Sequence, residues 1–186
     1  HEIIIVDDGS NDGTYKELTK YNFIKLIQSN VNQGKGNALK KGIALAKNNY
    51  ILIFDGDNEL PPNQIRKLMI LNETEGIRCV FSTRFLNKIP LDSFWNFGNF
   101  FLTSLFNYVH KTNFPDALCC AKSFLKSDLN ISDLTAEKFD IDVEISSKLI
   151  SKNELNLIDT IKINYNRRKK DEGKKLKIRD SILIIL

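Results

Sequence analysis

An apolar run that ends in acidic residues constrains the fold of this chain most strongly. Residues 50–54 are Tyr-Ile-Leu-Ile-Phe, and Asp55, Asp57 and Glu59 follow at alternate positions. A short run of bulky and β-branched residues predicts a buried strand. Two prolines and a helical pattern of apolar residues come next, so the acids lie in a strand-to-helix connection. In open α/β sheets, ligands bind at that edge.

The spacing of these acids predicts a metal site. In an extended chain, side chains at every second position point to the same side, so Asp55, Asp57 and Glu59 would face one ligand. Carboxylate oxygens are the ligands of hard divalent cations, and such a cation would in turn hold a phosphate. An isolated Asp-x-Asp also occurs in ordinary polar loops, so the prediction rests on the strand and helix around it.

A second strand with the same ending opens the chain. Residues 3–6 form a β-branched run typical of a buried parallel strand, and Asp7 and Asp8 begin a glycine-containing turn directly after it. The turn partly matches an EF-hand calcium loop, but Thr19 stands where that loop needs a bidentate Glu. Further strands are predicted at residues 23–27, 79–82 and 155–163.

Two cations follow predicted strands. Lys35 lies between two glycines at the start of a predicted helix, where backbone N–H groups and its ammonium would suit a diphosphate or a base edge. Arg84 lies just past the strand at residues 79–82, where its guanidinium would clamp a phosphate or form an ordinary surface ion pair. A diphosphate at Lys35 or a phosphate at Arg84 would each be consistent with a nucleotide-like ligand.

Composition limits the function classes. The chain has 186 residues with 42% hydrophobic and 27% charged content, which predicts one globular domain over residues 1–186. The formal net charge of +4 is modest, and eight Lys or Arg residues are concentrated in residues 167–179. Without aromatic residues interleaved, this segment does not indicate nucleic-acid binding and better suits anionic lipid headgroups or a diphosphate.

Cysteine usage and the chain ends bear on the setting of the protein. Cys79, Cys119 and Cys120 form neither an even disulfide framework nor a metal-binding spacing, which predicts packed thiols in a reducing compartment such as the cytoplasm. The sequence contains no evident signal peptide or membrane-spanning run. The chain begins without Met and ends within an apolar run, so we expect a fragment of a longer product.

An aromatic-rich helix is predicted at residues 94–109, which contain no Lys or Arg. A core or subunit-contact helix is the first interpretation of this pattern. The alternative is a surface that touches a membrane or a lipid chain, although interfacial helices usually carry basic residues on the polar face. Exposure of the aromatic side chains distinguishes the two.

Taken together, these segments resemble the family 2 glycosyltransferases of the GT-A fold, in the branch of dolichol-phosphate mannose synthase and bacterial enzymes that act on polyprenyl phosphates. The resemblance covers nearly the whole chain. Its motifs occur in the family's order: Asp7-Asp8-Gly9-Ser10 with Asp12-Gly13-Thr14, Asn32-x-Gly34-Lys35-Gly36, Phe54-Asp55-Gly56-Asp57, Thr83-Arg84-Phe85, Asp116 with Cys120 and Lys122, Phe139-x-x-Asp142-x-Glu144, and Arg168 with Glu172-Gly173-Lys174-Lys175.

The resemblance implies an α/β fold with a mostly parallel sheet flanked by helices. The family begins with a Pro-x-x-Asn-Glu type segment that is not in this sequence, so we expect the sheet to lack its first strand and the domain to be truncated at the N-terminus. Ala121 replaces the aromatic residue that many relatives carry before Lys122, which implies a different acceptor pocket.

The resemblance also implies a reaction, in which a sugar passes from a nucleoside-diphosphate sugar to a lipid-phosphate or glycan acceptor, with inversion and with Mg²⁺ or Mn²⁺. A lipid acceptor would imply contact with the cytoplasmic face of a membrane. The implied residue roles are nucleoside and sugar binding by Asp7, Asp8, Lys35 and Asp55, metal binding by Asp57 and Glu59, and contact with phosphate oxygens by Arg84 and Arg168.

The catalytic base remains open at this stage. A hydroxyl acceptor needs a carboxylate base, for which Asp116, Asp142 and Glu144 are the candidates, whereas a phosphate monoester is already largely ionised. Two other functions also remain open. A sugar nucleotidyltransferase likewise places acids at strand ends around Mg²⁺ and a nucleotide, and an inactive nucleotide-sugar binder would bind the donor without turnover.

Overall fold

The computed structural model describes residues 1–71, 76–85, 89–91 and 93–168, which form six strands and five α-helices. Most of the basic segment at residues 167–179 lies outside the described residues. In chain order, the elements are β1 (Ile3–Asp7), α1 (Thr14–Leu18), β2 (Ile24–Gln28), α2 (Lys35–Leu45), β3 (Tyr50–Ile53), α3 (Ile65–Leu68), β4 (Cys79–Thr83), α4 (Phe94–His110), β5 (Lys122–Leu125), α5 (Ile141–Lys152) and β6 (Ile158–Lys162).

The strands form two sheets among the described residues. β1 and β2 pair in parallel, with Ile3 opposite Ile24 and Asp7 opposite Gln28. The other sheet has the order β3-β5-β4-β6, in which β5 is antiparallel to both of its neighbours. The predicted α/β fold is therefore confirmed, and the four-stranded sheet is mixed, because β5 lies antiparallel between β3 and β4. The expectation that the sheet lacks its first strand stays a prediction.

The direction of the strands brings three strand ends to one edge. β3 and β4 both run antiparallel to β5, and β6 runs parallel to β4. β3, β4 and β6 therefore point the same way, and their carboxyl ends meet at the edge where β5 begins. The acidic segment at residues 55–59 follows β3, Arg84 follows β4, and residues 163–168 follow β6.

Two apolar clusters pack against the sheets. The larger one joins β3, β4 and β5 to the buried face of α5, which contributes Ile141, Ile145 and Leu149. The smaller one includes Cys119 and Ile163. These contacts agree with the prediction that the cysteines are packing residues, since all three thiols are free. Burial raises the pKa of the Cys79 thiol to about 12, so this thiol stays protonated.

Helix α4 begins after Ser93, whose hydroxyl oxygen accepts a hydrogen bond from the Asn96 backbone N–H. It buries only part of its apolar surface, mainly through Leu102 and Phe106. The side chains of Phe97 and Phe101 are 56% and 52% exposed. The interpretation as a core helix therefore fits only the buried face, and a subunit contact through the exposed face stays a prediction. In the part of the chain that the structure describes, neither α4 nor any other helix meets the length and apolarity of a membrane span.

Candidate active site

A partly buried lysine connects the end of β3 to the start of α5. Lys35 opens α2, and its Nζ lies 2.8 Å from Asp55 Oδ2 and 2.7 Å from Asp142 Oδ2. Asp55 follows β3 directly, whereas Asp142 lies in the first turn of α5. Three separate elements thus contribute to one charged cluster. Asp142 Oδ1 is buried and has no hydrogen-bond partner among the described residues, so this cluster has a free acceptor.

Opposite charges in this cluster keep its members ionised. Burial alone would lower the pKa of Lys35, but the carboxylates of Asp142 and Asp55 outweigh burial and hold this pKa well above 10.5. Burial likewise raises the pKa of Asp55, and the ammonium of Lys35 reverses the shift, so the pKa is lowered below 3.8. Lys35 and Asp55 therefore form an ion pair at neutral pH.

A second lysine lies beneath this cluster. Lys122 at the start of β5 is 1% exposed, and its Nζ donates to the Asp142 carbonyl oxygen at 2.8 Å and to Ser146 Oγ at 2.9 Å. Burial lowers its pKa, with the charge of Asp142 acting in the opposite direction. Lys122 therefore fixes the first turn of α5 and with it the position of Asp142.

The metal-ligand candidates contact Arg168. Arg168 Nη2 lies 2.8 Å from Asp57 Oδ2, and its backbone N–H donates to Glu59 Oε1 at 3.0 Å. The Tyr165 hydroxyl donates to Glu59 Oε2 at 2.9 Å. Burial, together with the hydrogen bond to Glu59, raises the pKa of Tyr165 to about 12, so this hydroxyl remains a donor. The segment after β6 is thereby attached to the acidic segment after β3.

The three acids do not converge on one point, contrary to the sequence prediction. The chain leaves the extended conformation before Asp57, because it bends from Gly56 onward, so the side-chain alternation expected between Asp55 and Asp57 is lost. Asp55 points to Lys35, whereas the other two acids point to Arg168. Within residues 1–71, 76–85, 89–91 and 93–168, no group of three or more His, Cys, Asp or Glu side chains is placed to hold a metal ion.

Arg84 and Asp116 form a bidentate ion pair at the same edge. Arg84 Nε lies 2.7 Å from Asp116 Oδ2 and Nη2 lies 2.8 Å from Oδ1. Burial would lower the pKa of Arg84, but the carboxylate of Asp116 outweighs burial and holds this pKa well above the usual range of an arginine. The guanidinium carbon also lies 5.3 Å from the centre of the Tyr165 ring. Arg84 is thus adjacent to the Asp57–Arg168 pair through Tyr165.

The acidic turn after β1 organises the loop before α2. Asp8 accepts hydrogen bonds from the backbone N–H groups of Gln33 at 3.0 Å and Gly34 at 2.7 Å. Asp7 accepts one from Ser10 N–H at 3.0 Å through Oδ1. Its Oδ2 is buried and has no hydrogen-bond partner in the described part of the chain, which leaves an acceptor available to a ligand.

The glycines around Lys35 serve close packing rather than an open anion site. Gly34 N–H binds Asp8, and Gly36 N–H donates to the Glu137 carbonyl oxygen at 2.8 Å. A Cβ atom at Gly36 would lie 2.4 Å from the Ala136 carbonyl oxygen. The predicted use of these two N–H groups for a diphosphate is therefore wrong, because the protein already occupies them.

The three candidate bases differ in their availability. Both Asp116 oxygens accept hydrogen bonds from Arg84. Both Glu144 oxygens accept hydrogen bonds from the backbone of residues 135–136, and burial is outweighed by these bonds, so the pKa of Glu144 is lowered. Glu144 is a loop-capping residue and does not join the Lys35 cluster. Asp142 retains an unpartnered oxygen in that cluster.

Tyr165 is the site residue that the sequence prediction missed. It contacts Glu59 through its hydroxyl and Arg84 through its ring. It lies three residues beyond β6, and the rule that singled out Arg84 after β4 would have found it. A cleft of about 410 Å³ lies beside it and is lined by Pro61, Arg84 and residues 162–166.

The chain is similar in sequence to several known proteins. A family model described as "Glycosyl transferase family 2" matches residues 1–130. An uncharacterized protein of Methanocaldococcus jannaschii is 32% identical over 167 residues, which cover 79% of this chain and 71% of that protein. A dolichyl-phosphate beta-glucosyltransferase of Dictyostelium discoideum is 43% identical over 63 residues, which cover 31% of this chain and 19% of that enzyme.

A solved structure has a similar fold. Glucosyl-3-phosphoglycerate synthase from Mycobacterium tuberculosis, in complex with Mn²⁺, UDP and glucosyl-3-phosphoglycerate, matches with a TM-score of 0.71 at 18% identity. The match covers 99% of this chain and 66% of that chain. This chain therefore spans about two thirds of the length of that structure, and the likeness concerns the fold.

Proposed function

Because this chain belongs to glycosyl transferase family 2 and has the GT-A fold, we propose that it transfers a sugar from a nucleoside-diphosphate sugar to an acceptor with the help of a divalent metal ion. The chain is a glycosyltransferase by family. Metal dependence, the acceptor and inversion at the anomeric carbon are the proposed parts. The observation that carries them is the meeting of acids and cations from β3, β4 and β6 at one sheet edge.

Asp57 is the residue that best fits a divalent ion. Its side chain is 30% exposed, so water and a diphosphate have access to it. Mg²⁺ and similar ions are commonly held by one or two carboxylates with substrate phosphates and water, so three clustered acids are not required. Glu59 is the second proposed ligand. A metal bound here would supply Lewis-acid stabilisation of the departing diphosphate.

The residues around Asp57 fit the rest of a nucleotide sugar. We assign the nucleoside to the turn after β1, where Asp7 Oδ2 is a buried acceptor without a partner among the described residues. Asp55, which pairs with Lys35, would contact the ribose or the sugar. Arg168, with a side chain 29% exposed, is the proposed first contact of the phosphate oxygens, and Arg84, 14% exposed and paired with Asp116, is the second.

The acceptor that we favour is a polyprenyl phosphate. The similar Dictyostelium enzyme is named for a dolichyl-phosphate acceptor, and the cleft beside Tyr165 is lined by the cations Arg84 and Lys162. A phosphate monoester is largely ionised near neutral pH and attacks without a strong base. If the acceptor is a hydroxyl, Asp142 is the base that we propose, since Asp116 and Glu144 are held by other groups.

A lipid acceptor would require contact with a membrane surface, for which we propose the exposed face of α4. Phe94, Phe97, Phe101 and Tyr108 lie on this face at helical spacing and are exposed. Arg167 adds a cation next to it, with its guanidinium 5.8 Å from the centre of the Trp95 ring. Aromatic side chains beside a cation suit an anionic interface.

The double substitution Phe97→Ser with Phe101→Ser is expected to weaken binding to vesicles containing anionic phospholipid by at least about tenfold, since each buried Phe contributes about 1.5–3 kcal/mol. Vesicle co-sedimentation measures this. The matched control is Tyr21→Ser with Phe23→Ser, which removes two exposed aromatic residues elsewhere. Equal binding of the two double variants would exclude α4 as the membrane contact.

A transfer assay tests the proposed reaction. The protein is incubated with a panel of nucleoside-diphosphate sugars and a polyprenyl phosphate, with Mn²⁺ or with EDTA. In Mn²⁺ but not in EDTA, we expect release of a nucleoside diphosphate and formation of a glycolipid. NMR of this product is expected to show an inverted configuration at the anomeric carbon of the transferred sugar. Release of pyrophosphate from a nucleoside triphosphate and a sugar phosphate would instead indicate a nucleotidyltransferase. Donor binding without any product would indicate an inactive binder.

A further inference from the structure

We propose that Arg168 is an internal counter-cation of Asp57 that the divalent ion displaces, so that metal binding releases the Arg168 side chain toward the diphosphate. This inference rests on the proposed function of Asp57 as a metal ligand. In this proposal Arg168 has opposite effects on two measurable affinities. It weakens binding of the metal alone, and it strengthens binding of the nucleotide once the metal is bound.

A divalent ion bound at Asp57 would compete with the guanidinium of Arg168 for the same carboxylate. Arg168 Nη2 lies 2.8 Å from Asp57 Oδ2, and Asp57 Oδ1 accepts the Glu59 backbone N–H at 3.1 Å. Both Asp57 oxygens therefore have partners in the structure. A divalent ion that binds Oδ2 would lie within contact distance of the guanidinium, and like charges at that distance repel strongly. The guanidinium must therefore move when the ion binds.

The Arg168 side chain is incompletely satisfied in this position. Its Nε is buried and has no hydrogen-bond acceptor among the described residues, since Glu59 Oε1 is 3.9 Å away. An unsatisfied charged donor costs free energy and is corrected by any arrangement that supplies an acceptor. Oxygens of a diphosphate provide such acceptors and form bidentate hydrogen bonds with guanidinium groups. The side chain is thus available for a ligand that brings phosphate.

The backbone around Arg168 is held independently of its side chain. The Arg168 N–H donates to Glu59 Oε1 at 3.0 Å, and the Asn166 N–H donates to the Glu59 carbonyl oxygen at 2.7 Å. The Tyr165 hydroxyl holds the other oxygen of Glu59. A rotation of the Arg168 side chain alone therefore suffices for the exchange, and Glu59 acts as the anchor of this segment.

Titration with Mn²⁺ alone, read from the EPR signal of free Mn²⁺, tests the first step. Arg168→Gln is expected to bind Mn²⁺ about fivefold more tightly than the wild type, as removal of a partly exposed ion pair allows. The matched control is Arg167→Gln, which removes the same charge from the neighbouring residue, whose guanidinium lies on Trp95 rather than on Asp57. Its Mn²⁺ affinity is expected to stay within about twofold of the wild type.

The second step is the binding of UDP and GDP at saturating Mn²⁺, measured by calorimetry. Arg168→Gln is expected to bind the preferred nucleotide about tenfold more weakly, because a charge-assisted bidentate contact is lost, whereas Arg167→Gln is not. Equal Mn²⁺ affinities for the two variants would overturn the counter-cation role and leave the proposed function intact. Failure of every protein to bind Mn²⁺, with or without nucleotide, would overturn both.

Discussion

Replacing Asp57 with alanine is expected to lower metal-dependent sugar transfer by about a thousandfold, since Lewis-acid stabilisation is worth several kcal/mol and each 1.36 kcal/mol is a factor of ten. The Asp57 side chain is 30% exposed and pairs with Arg168 rather than with the Lys35 cluster. Loss of its carboxylate removes the metal ligand and leaves the guanidinium of Arg168 without its partner. The measurement is the initial rate of nucleoside diphosphate release at saturating donor.

The control for this variant is a carboxylate outside the edge. Asp133 lies on the surface and accepts a hydrogen bond from Asn130 in its own turn. Asp133→Ala is expected to retain full activity, with stability changed by less than about 0.5 kcal/mol. An Asp57→Ala variant that transfers sugar within about tenfold of the wild type would remove Asp57 from the metal site, because so small a loss is below what a metal ligand contributes.

Replacing Lys35 with methionine is expected to lower the free energy of unfolding by about 3–5 kcal/mol at pH 7, because it leaves two partly buried carboxylates without their cation. Lys35 Nζ contacts Asp55 and Asp142, and its side chain is 14% exposed. Urea unfolding followed by circular dichroism measures the effect. Lys20→Met, at an exposed ion pair with Glu17, is the matched control and is expected to change stability by less than about 1 kcal/mol.

The pH dependence of this variant identifies the cause. In the wild type, the pKa of Asp55 is lowered from its usual 3.8. Its contribution to the free energy of unfolding is therefore present above pH 3.8 and is lost as the pH falls through the lowered pKa. The pKa of Lys35 is raised, so its contribution is complete below 10.5 and is lost only as the pH rises above that value. In Lys35→Met, protonation of the unpaired carboxylates removes their unfavourable buried charge and so raises the free energy of unfolding of the variant. The deficit of this variant should therefore shrink between pH 7 and pH 5, and a constant deficit would indicate lost packing instead.

The sequence predicted the strands better than the side-chain partners. The apolar runs before Asp7 and Asp55 identified β1 and β3 within one residue, because continuous β-branched runs have few other stable states. β5 was not predicted, because it contains the polar residues Lys122 and Ser123. Their side chains are buried through hydrogen bonds to distant backbone carbonyls, which the sequence does not reveal. Local pattern carries no information about hydrogen bonds that the rest of the fold supplies.

The sequence indicated which residues lie at the candidate site, but not which of their side chains contact each other. Asp7, Asp55 and Arg84 lie at or just past strand ends, as the strand-end rule requires, whereas Arg168 lies farther along the segment after β6. Lys35 and Asp142 are 107 residues apart in the chain, and Asp57 and Arg168 are 111 apart, so their contacts depend on strand order. The alternation of residues 55–59 failed because the chain bends from Gly56 onward, between Asp55 and Asp57.

The most direct test of the central claim is a calorimetric titration of the protein with UDP, GDP, CDP and dTDP, each in Mn²⁺ and in EDTA. The arrangement of acids and cations at the sheet edge predicts that at least one nucleoside diphosphate binds in Mn²⁺ and binds at least about tenfold more weakly in EDTA. Asp57→Ala should remove the difference between the two conditions. Binding that is equal in Mn²⁺ and in EDTA, or no binding of any of the four, would contradict a metal-bridged nucleotide-sugar site.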